Sequence, residues 1–154
     1  MKRLLWMSDN PTLATGYARV TREILRRLSE RGDYDIACLA WYDDVNGNIP
    51  PDGGYAIARG GRDFGISSLS GAIREFNPDL IIALGDLWMI EPGCMIAKES
   101  GVSYVGYFPL DGLPLTDRWA TLVDAMDEAV VCSSFGENAV RQIESKLQCR
   151  SIPF

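Results

Sequence analysis

The chain has 154 residues, a formal net charge of −6, 47% hydrophobic and 23% charged side chains, and no histidine. That length suits one domain able to hide roughly 70% of its unfolded surface, and the acidic balance argues against a generic binder of nucleic acid or anionic membranes. Without histidine the chain offers no Ser-His-Asp or Cys-His catalysis, no histidine-ligated zinc and no imidazole acid–base chemistry, so its chemistry rests on carboxylates, hydroxyls and backbone dipoles.

In chain order, residues 3–7 form a short apolar run bounded by turn residues, which predicts a buried strand. The loop that follows, from Ser8 to Gly16, holds Asp9, Asn10, Pro11, two threonines and one glycine. A helix then starts with Thr12 or Thr15 as N-cap, carries Ala18, Thr21, Leu25 and Leu28 on one face, and stops at Gly32. Arg19, Arg22, Arg26 and Arg27 read as its solvated side, with Arg19 close enough to the loop to reach an anion. Tyr34 to Trp41 is the next strand, and residues 43–54 read as a loop rich in Asp, Asn, Gly and Pro. A short third strand covers Tyr55 to Arg59. Ser67 or Ser68 caps a helix to Phe76, and Leu80 to Leu84 is the strongest strand of the chain. A helix over about Glu91 to Ser100, a strand over Val102 to Phe108 and a helix over Thr116 to Met126 follow. Residues 129–132 make another strand, Ser133-Ser134 cap a helix from Phe135 to about Leu147, and Arg150 to Ile152 is one more strand.

Strands alternating with helices predict a Rossmann-like α/β domain, a doubly wound parallel sheet with helices on both faces. No apolar run approaches the ~20 residues of a membrane span, and the run after Lys2-Arg3 is too short for a signal peptide, so a cytoplasmic location is expected. Cys38, Cys94, Cys132 and Cys149 form no C-x-x-C pair and read as reduced thiols; no metal site is expected. A G-x-x-x-x-G-K-[ST] loop, a G-x-G-x-x-G fingerprint and a G-x-S-x-G elbow are all missing, which disfavours a P-loop enzyme, a dinucleotide cradle of the usual kind and an α/β-hydrolase.

In a parallel sheet the segments after the strands gather at one edge. Here they supply Asp9, Thr15 and Gly16, then Asp86 and Trp88, then Asp111 and Gly112, then Ser133 and Ser134. Carboxylates accept hydroxyl hydrogens and aromatic faces stack on sugar rings, so the set suits a polyhydroxylated ligand. Each residue has a plainer reading beside this one. Gly16 would only permit tight helix–strand packing, Tyr17 would be core, Asp9 would close an Asx-turn before Pro11, and the serines would be caps. Asp86 and Asp111 invite an acid–base reading, while a turn aspartate would also fit. Trp88, Met89 and Trp119 fit core, rim or interface.

WMSDNPTLATGYARVTREILRRL, NPDLIIALGD with its Trp88-Met89 sequel, YVGYFPLDGLPL and VVCSSFGENAV resemble the N-terminal domain of GT-B-fold glycosyltransferases of the retaining family-4 type, over essentially the whole chain. The resemblance implies that Thr15-Gly16 stands for the glycine motif near donor phosphates and acceptor, where the family often has two adjacent glycines. Asp111 stands where many members carry a histidine that contacts the donor sugar. It further implies a metal-independent, cofactor-free transfer from a nucleotide-sugar donor to an acceptor, in a cleft completed by a C-terminal domain with an E-x7-E motif. That motif and domain are missing here, so the chain reads as an excised acceptor-side half, inactive by itself.

On this reading Asp86 and Asp111 are the catalytic candidates, and Asp9, Thr15, Gly16, Tyr17, Gly112 and Ser134 the donor- and acceptor-binding ones. A bare cleft edge at Trp88, Leu113 and Leu115 would favour self-association. The alternatives are a stand-alone, non-catalytic α/β module that binds a ligand or partner, and another Rossmann-like enzyme such as an epimerase or phosphate-transferring enzyme.

Overall fold

The computed structural model describes residues 1–42, 54–143 and 149–153; the loop expected over 43–54 lies outside them except for Gly54. Among the described residues seven strands run in parallel: β1 (Lys2–Asp9), β2 (Tyr34–Trp41), β3 (Ala56–Arg59), β4 (Leu80–Leu84), β5 (Ser103–Phe108), β6 (Glu128–Val131) and β7 (Cys149–Ser151). Their spatial order is β3-β2-β1-β4-β5-β6-β7, a single sheet whose direction of winding reverses between β1 and β4. That reversal opens a crevice at the carboxyl ends of the strands, where open α/β sheets take their ligands. β1 and β2 pair in register from Lys2 opposite Tyr34 to Asp9 opposite Trp41.

The helices are α1 (Gly16–Arg31), α2 (Ile66–Phe76), α3 (Leu87–Glu99), α4 (Asp117–Ala125) and α5 (Ser134–Arg141). They clothe the sheet unevenly. Leu69 of α2, Ile90 and Cys94 of α3, Leu122 and Val123 of α4 and Val140 of α5 join one apolar cluster with Leu5, Met7, Leu39, Trp41, Ile81 and Phe108. The opposite face carries α1, whose Leu25 packs on Leu4, Trp6, Ile36, Cys38 and Ala40. The alternation of side chains along each strand divides the two clusters. Within the α1 layer the Trp6 indole donates to the Thr21 hydroxyl at 3.1 Å, which lets a threonine sit fully buried in the helix.

Two expected helix starts move, each for a local reason. Ser67 and Ser68 do not cap α2. Gly65 does, at φ 82°, while the Asp63 carboxylate accepts from the Ser67 amide at 3.0 Å, so the serines lie inside the first turn. Helix α3 starts directly after Asp86 rather than at Glu91, with Pro92 inside it; the proline marks the interior of the helix and not its beginning. Helix α5 ends at Arg141 with Gln142 as its C-cap, short of the Leu147 expected, and residues 144–147 of that expectation lie outside the described set. All four cysteines are free thiols, and burial pushes Cys38 and Cys132 up to about 12, Asp111's charge adding to the second. Among the described residues no helix is long and apolar enough to cross a membrane.

Candidate functional site

At the crevice, β1 ends in Asp9 and the chain turns through residues 10–15 into α1. Asn10 shapes the turn: its side-chain oxygen accepts from the Thr12 amide at 3.0 Å and from the Thr12 hydroxyl at 2.9 Å. The Asx-turn expected at Asp9 therefore belongs to its neighbour. Thr15, not Thr12, is the N-cap; its hydroxyl accepts from the Ala18 amide at 3.1 Å and donates to Asp9 Oδ2 at 2.6 Å. Asp9 is 4% exposed, and its second oxygen, Oδ1, is buried without a hydrogen-bond partner among the described residues. Arg22 is no idle member of a solvated face: its guanidinium donates to the Pro11 and Leu13 carbonyls and braces the loop.

Gly16 opens α1 in an exposed position, and a Cβ built on it would meet no atom within 4 Å. Tight packing, the plain explanation for this glycine, is ruled out. No acidic residue stands in the first turn of α1, so the helix dipole there is open to a negative group.

Tyr17 crosses the crevice. Its hydroxyl donates to Asp86 Oδ1 at 2.7 Å, tying the first turn of α1 to the residue that caps α3. The Asp86 backbone amide in turn donates to Met89 Sδ at 3.4 Å. Burial raises the Tyr17 pKa well above its ordinary value. The hydrogen bond and charge of Asp86 add to this, as do smaller effects of Cys132 and Asp111. Those contributions bring the strand ends of β4, β5 and β6 to one phenol. Asp111 and Gly112 are exposed in the loop after β5, and a Cβ on Gly112 would meet nothing within 4 Å. Ser133 caps α5 by accepting from the Gly136 amide at 3.1 Å, leaving the exposed Ser134 as the serine with no capping duty.

Of the sequence candidates, Thr15, Tyr17, Asp9 and Asp86 are thus joined by two hydrogen bonds, with Gly16 between them. Met89 is buried and Trp119 half-buried beside Arg118, whereas Trp88 is 52% exposed and does not belong to the core. Sequence reasoning missed a cavity of about 700 Å³ between α1 and the chain's last described residues, lined by Gly16, Tyr17, Val20, Ile24, Tyr107 and Ile152 among others. Val20 and Ile24, apolar positions beside the Ala18–Thr21–Leu25 face, were the signal for it. Among the described residues no group of three or more Cys, Asp or Glu side chains is arranged to hold a metal ion.

The buried tyrosines give the domain as a whole a pH signature. Burial pushes Tyr55 and Tyr107 up to about 12 and raises Tyr17 and Tyr104 well above the ordinary tyrosine value. A phenol whose folded pKa exceeds its unfolded value of about 10 contributes stability that is complete below about pH 10 and is lost as pH rises through the folded value. Phenolate absorbance of these four residues is therefore expected to lag behind free tyrosine and to emerge together with loss of helical circular dichroism. Ordinary titration of all of them in a still-folded chain would contradict the burial.

No protein-family model matches the chain, and no curated protein matches it. Solved structures do. The lipopolysaccharide outer core galactosyltransferase WaaB in its apo form superposes with a TM-score of 0.64 at 13% identity, over 99% of this chain and 45% of its own. The UDP-GlcNAc 2-epimerase from Methanocaldococcus jannaschii superposes with a TM-score of 0.59 at 15% identity, over 92% of this chain and 42% of its own. The chain thus spans less than half the length of either. At such identities the likeness establishes the Rossmann-like α/β fold alone.

Proposed function

We propose that the chain is the N-terminal, acceptor-side half of a retaining glycosyltransferase, which moves a sugar from a nucleotide-sugar to an acceptor in a cleft that a second domain completes. The observation that carries this reading is Gly16, exposed at the start of a 16-residue helix with nothing in front of it. A glycine that neither packs nor turns the chain leaves room for a ligand to approach the backbone, and the helix start favours the negative charge of a diphosphate. Thr15 and Tyr17 hold that turn in place through Asp9 and Asp86. Asp111 supplies a carboxylate to the sugar side of the cleft, with Gly112 and Ser134 at its margin. Asp86 and Asp111 are the proposed reacting-centre carboxylates. The fold neighbours support the reading as a galactosyltransferase and a nucleotide-sugar epimerase built on the same scaffold. They also make epimerisation of a nucleotide-sugar the second reading.

The test is turnover. The 154-residue chain alone is expected to transfer no sugar from a panel of nucleotide-sugars, whereas a polypeptide extended by a second, nucleotide-binding domain is expected to transfer with the anomeric configuration kept. Anomeric proton couplings in the product read the stereochemistry directly. Turnover by the chain alone would refute the idea of a half-enzyme, inversion would refute retention, and an epimerised donor with no transfer would establish the second reading.

A further inference from the structure

Parallel sheets are ordinarily covered on both faces. Among the described residues α2, α3, α4 and α5 pack on one face, whereas α1 stands alone on the other, over β1 and β2. β4 and β6 turn Ile82 and Val130 to the α1 side, where both remain half-buried. Between α1 and this open half of the sheet lies the cavity of about 700 Å³. Val20 and Ile24 wall it along the helix, Tyr107 along β5 and Ile152 on the far side. The Tyr107 hydroxyl donates to the Ile152 carbonyl at 2.7 Å, which fixes that far wall. Gly16 and Tyr17 line the cavity too, so it adjoins the crevice.

The charges on its wall are unevenly used. Arg19, Glu23 and Arg27 of α1 all line it. Glu23 is already engaged, at 3.5 Å from Arg26 and 3.1 Å from Arg27, and Arg27 also donates to the Glu23 carbonyl. Arg19 is exposed, and its guanidinium has neither an ion pair nor a hydrogen bond among the described residues. It lies within one turn of Gly16, at the end of the cavity nearest the crevice. An apolar cavity thus carries an unspent cation at one end. From Gly16 to Arg27 the lining follows α1 for about 16 Å, and over that length the volume leaves a channel about 7 Å wide, narrower than the roughly 10–12 Å of a packed helix.

We infer that this cavity binds an aliphatic phosphate, its chain lying along Val20, Ile24, Tyr107 and Ile152 and its phosphate at Arg19. The volume falls within the roughly 300–1,000 Å³ of small-ligand sites, and the width admits a slender chain but not a helix. A neutral apolar ligand would leave Arg19 unused, and a bare anion would leave the apolar walls wet. Guanidinium groups pair with phosphate through parallel N–H bonds. The double charge of a phosphate also gains more than a carboxylate from the start of α1, whose first turn holds no acid. The inference rests on the proposed glycosyltransferase reading only in casting this ligand as the acceptor, with its head beside the donor site at Gly16.

Isothermal titration calorimetry on the 154-residue chain, without any nucleotide-sugar, tests it. The probes are octyl phosphate, hexyl phosphate, octanoate, octyl β-glucoside and inorganic phosphate, each below its micelle concentration. Octyl phosphate is expected to bind about tenfold tighter than hexyl phosphate, because each buried methylene contributes about a three- to fourfold gain. It is also expected to bind at least about fivefold tighter than the other three probes. Arg19→Gln is expected to weaken octyl phosphate about tenfold and leave octyl β-glucoside unchanged, whereas Ile152→Asp weakens both. Both side chains are exposed, so the variants keep the fold, checked by circular dichroism. Affinity independent of chain length, octanoate or octyl β-glucoside matching octyl phosphate, or unchanged binding in Arg19→Gln would overturn the inference. So would loss of octyl phosphate binding in the chain extended by a second domain, which would mean that polypeptide fills the cavity. Sugar transfer by the two-domain protein without octyl phosphate binding refutes this site alone. Octyl phosphate binding without transfer refutes the enzyme reading and leaves the site standing.

Discussion

Gly16→Ala is expected to leave the domain as stable as before, or firmer by up to about 1 kcal/mol, while lowering transfer by the assembled enzyme about 100-fold. The two halves of this outcome have separate causes. Gly16 is the first residue of α1, and an added Cβ touches nothing within 4 Å. Alanine there loses less conformational freedom on folding than glycine does, so the native state gains. The methyl group would stand in the open space that a diphosphate needs in order to reach the helix start. Denaturant midpoints beside initial rates separate the two effects. A variant as active as its parent would reduce Gly16 to an ordinary helix start, and a less stable one would mean that the space is filled.

Trp41→Ala is expected to cost about 3–5 kcal/mol of folding free energy, the usual penalty for emptying a large aromatic site. That is a large share of the roughly 5–15 kcal/mol that holds a domain together. Trp41 is completely buried at the end of β2, with its ring against Phe64. A Cβ at Gly85 would come within 2.9 Å of that ring, so the indole fills the room between the ends of β2 and β4. Trp41→Phe is expected to cost much less. It keeps an aromatic wedge and removes a buried Nε1 that has no acceptor among the described residues, a group whose isolation costs about 1–3 kcal/mol. Urea unfolding of both variants decides the matter. A loss below about 1 kcal/mol in the alanine variant would show that the neighbouring rings close over the gap.

What the sequence made legible follows from how local each signal was. β2 and β4 fall on the residues expected, Tyr34–Trp41 and Leu80–Leu84, because a continuous apolar run between polar stops needs no other part of the chain to interpret it. The loop from Asp9 to Gly16 and its place at the sheet edge were equally visible. The beginnings of α2 and α3 were not, since Gly65 caps through its backbone conformation and Asp86 through a position just after a strand. The layer in which each helix lies was also hidden. Amphipathic spacing shows that α1 has a buried face, but not that it lies on the side away from α2, α3, α4 and α5.

Within the site, Thr15, Gly16, Tyr17 and Asp86 were readable because the strand–loop–helix pattern places them. The Tyr17–Asp86 hydrogen bond and the Asp9–Thr15 pair depend on side-chain reach across the crevice, which spacing cannot give. The rings gathered around Phe64 were less visible still. Trp41, Tyr42, Phe64 and Trp88 come from three separate segments, and only Trp88 drew notice, with burial in the core as its plainest reading.

The Arg22 clamp gives the loop at Asn10–Thr15 an unusual mechanical status. A guanidinium from the second turn of α1 holds the Pro11 and Leu13 carbonyls, while Thr15 fastens the far end to Asp9. Loop and helix therefore form one rigid body, and the loop has already lost its conformational freedom when the domain folds. The binding proposed at Gly16 would then proceed without a further ordering penalty. Any closure of the crevice must carry α1 along with the loop, turning the layer against the sheet instead of folding a flap over the ligand.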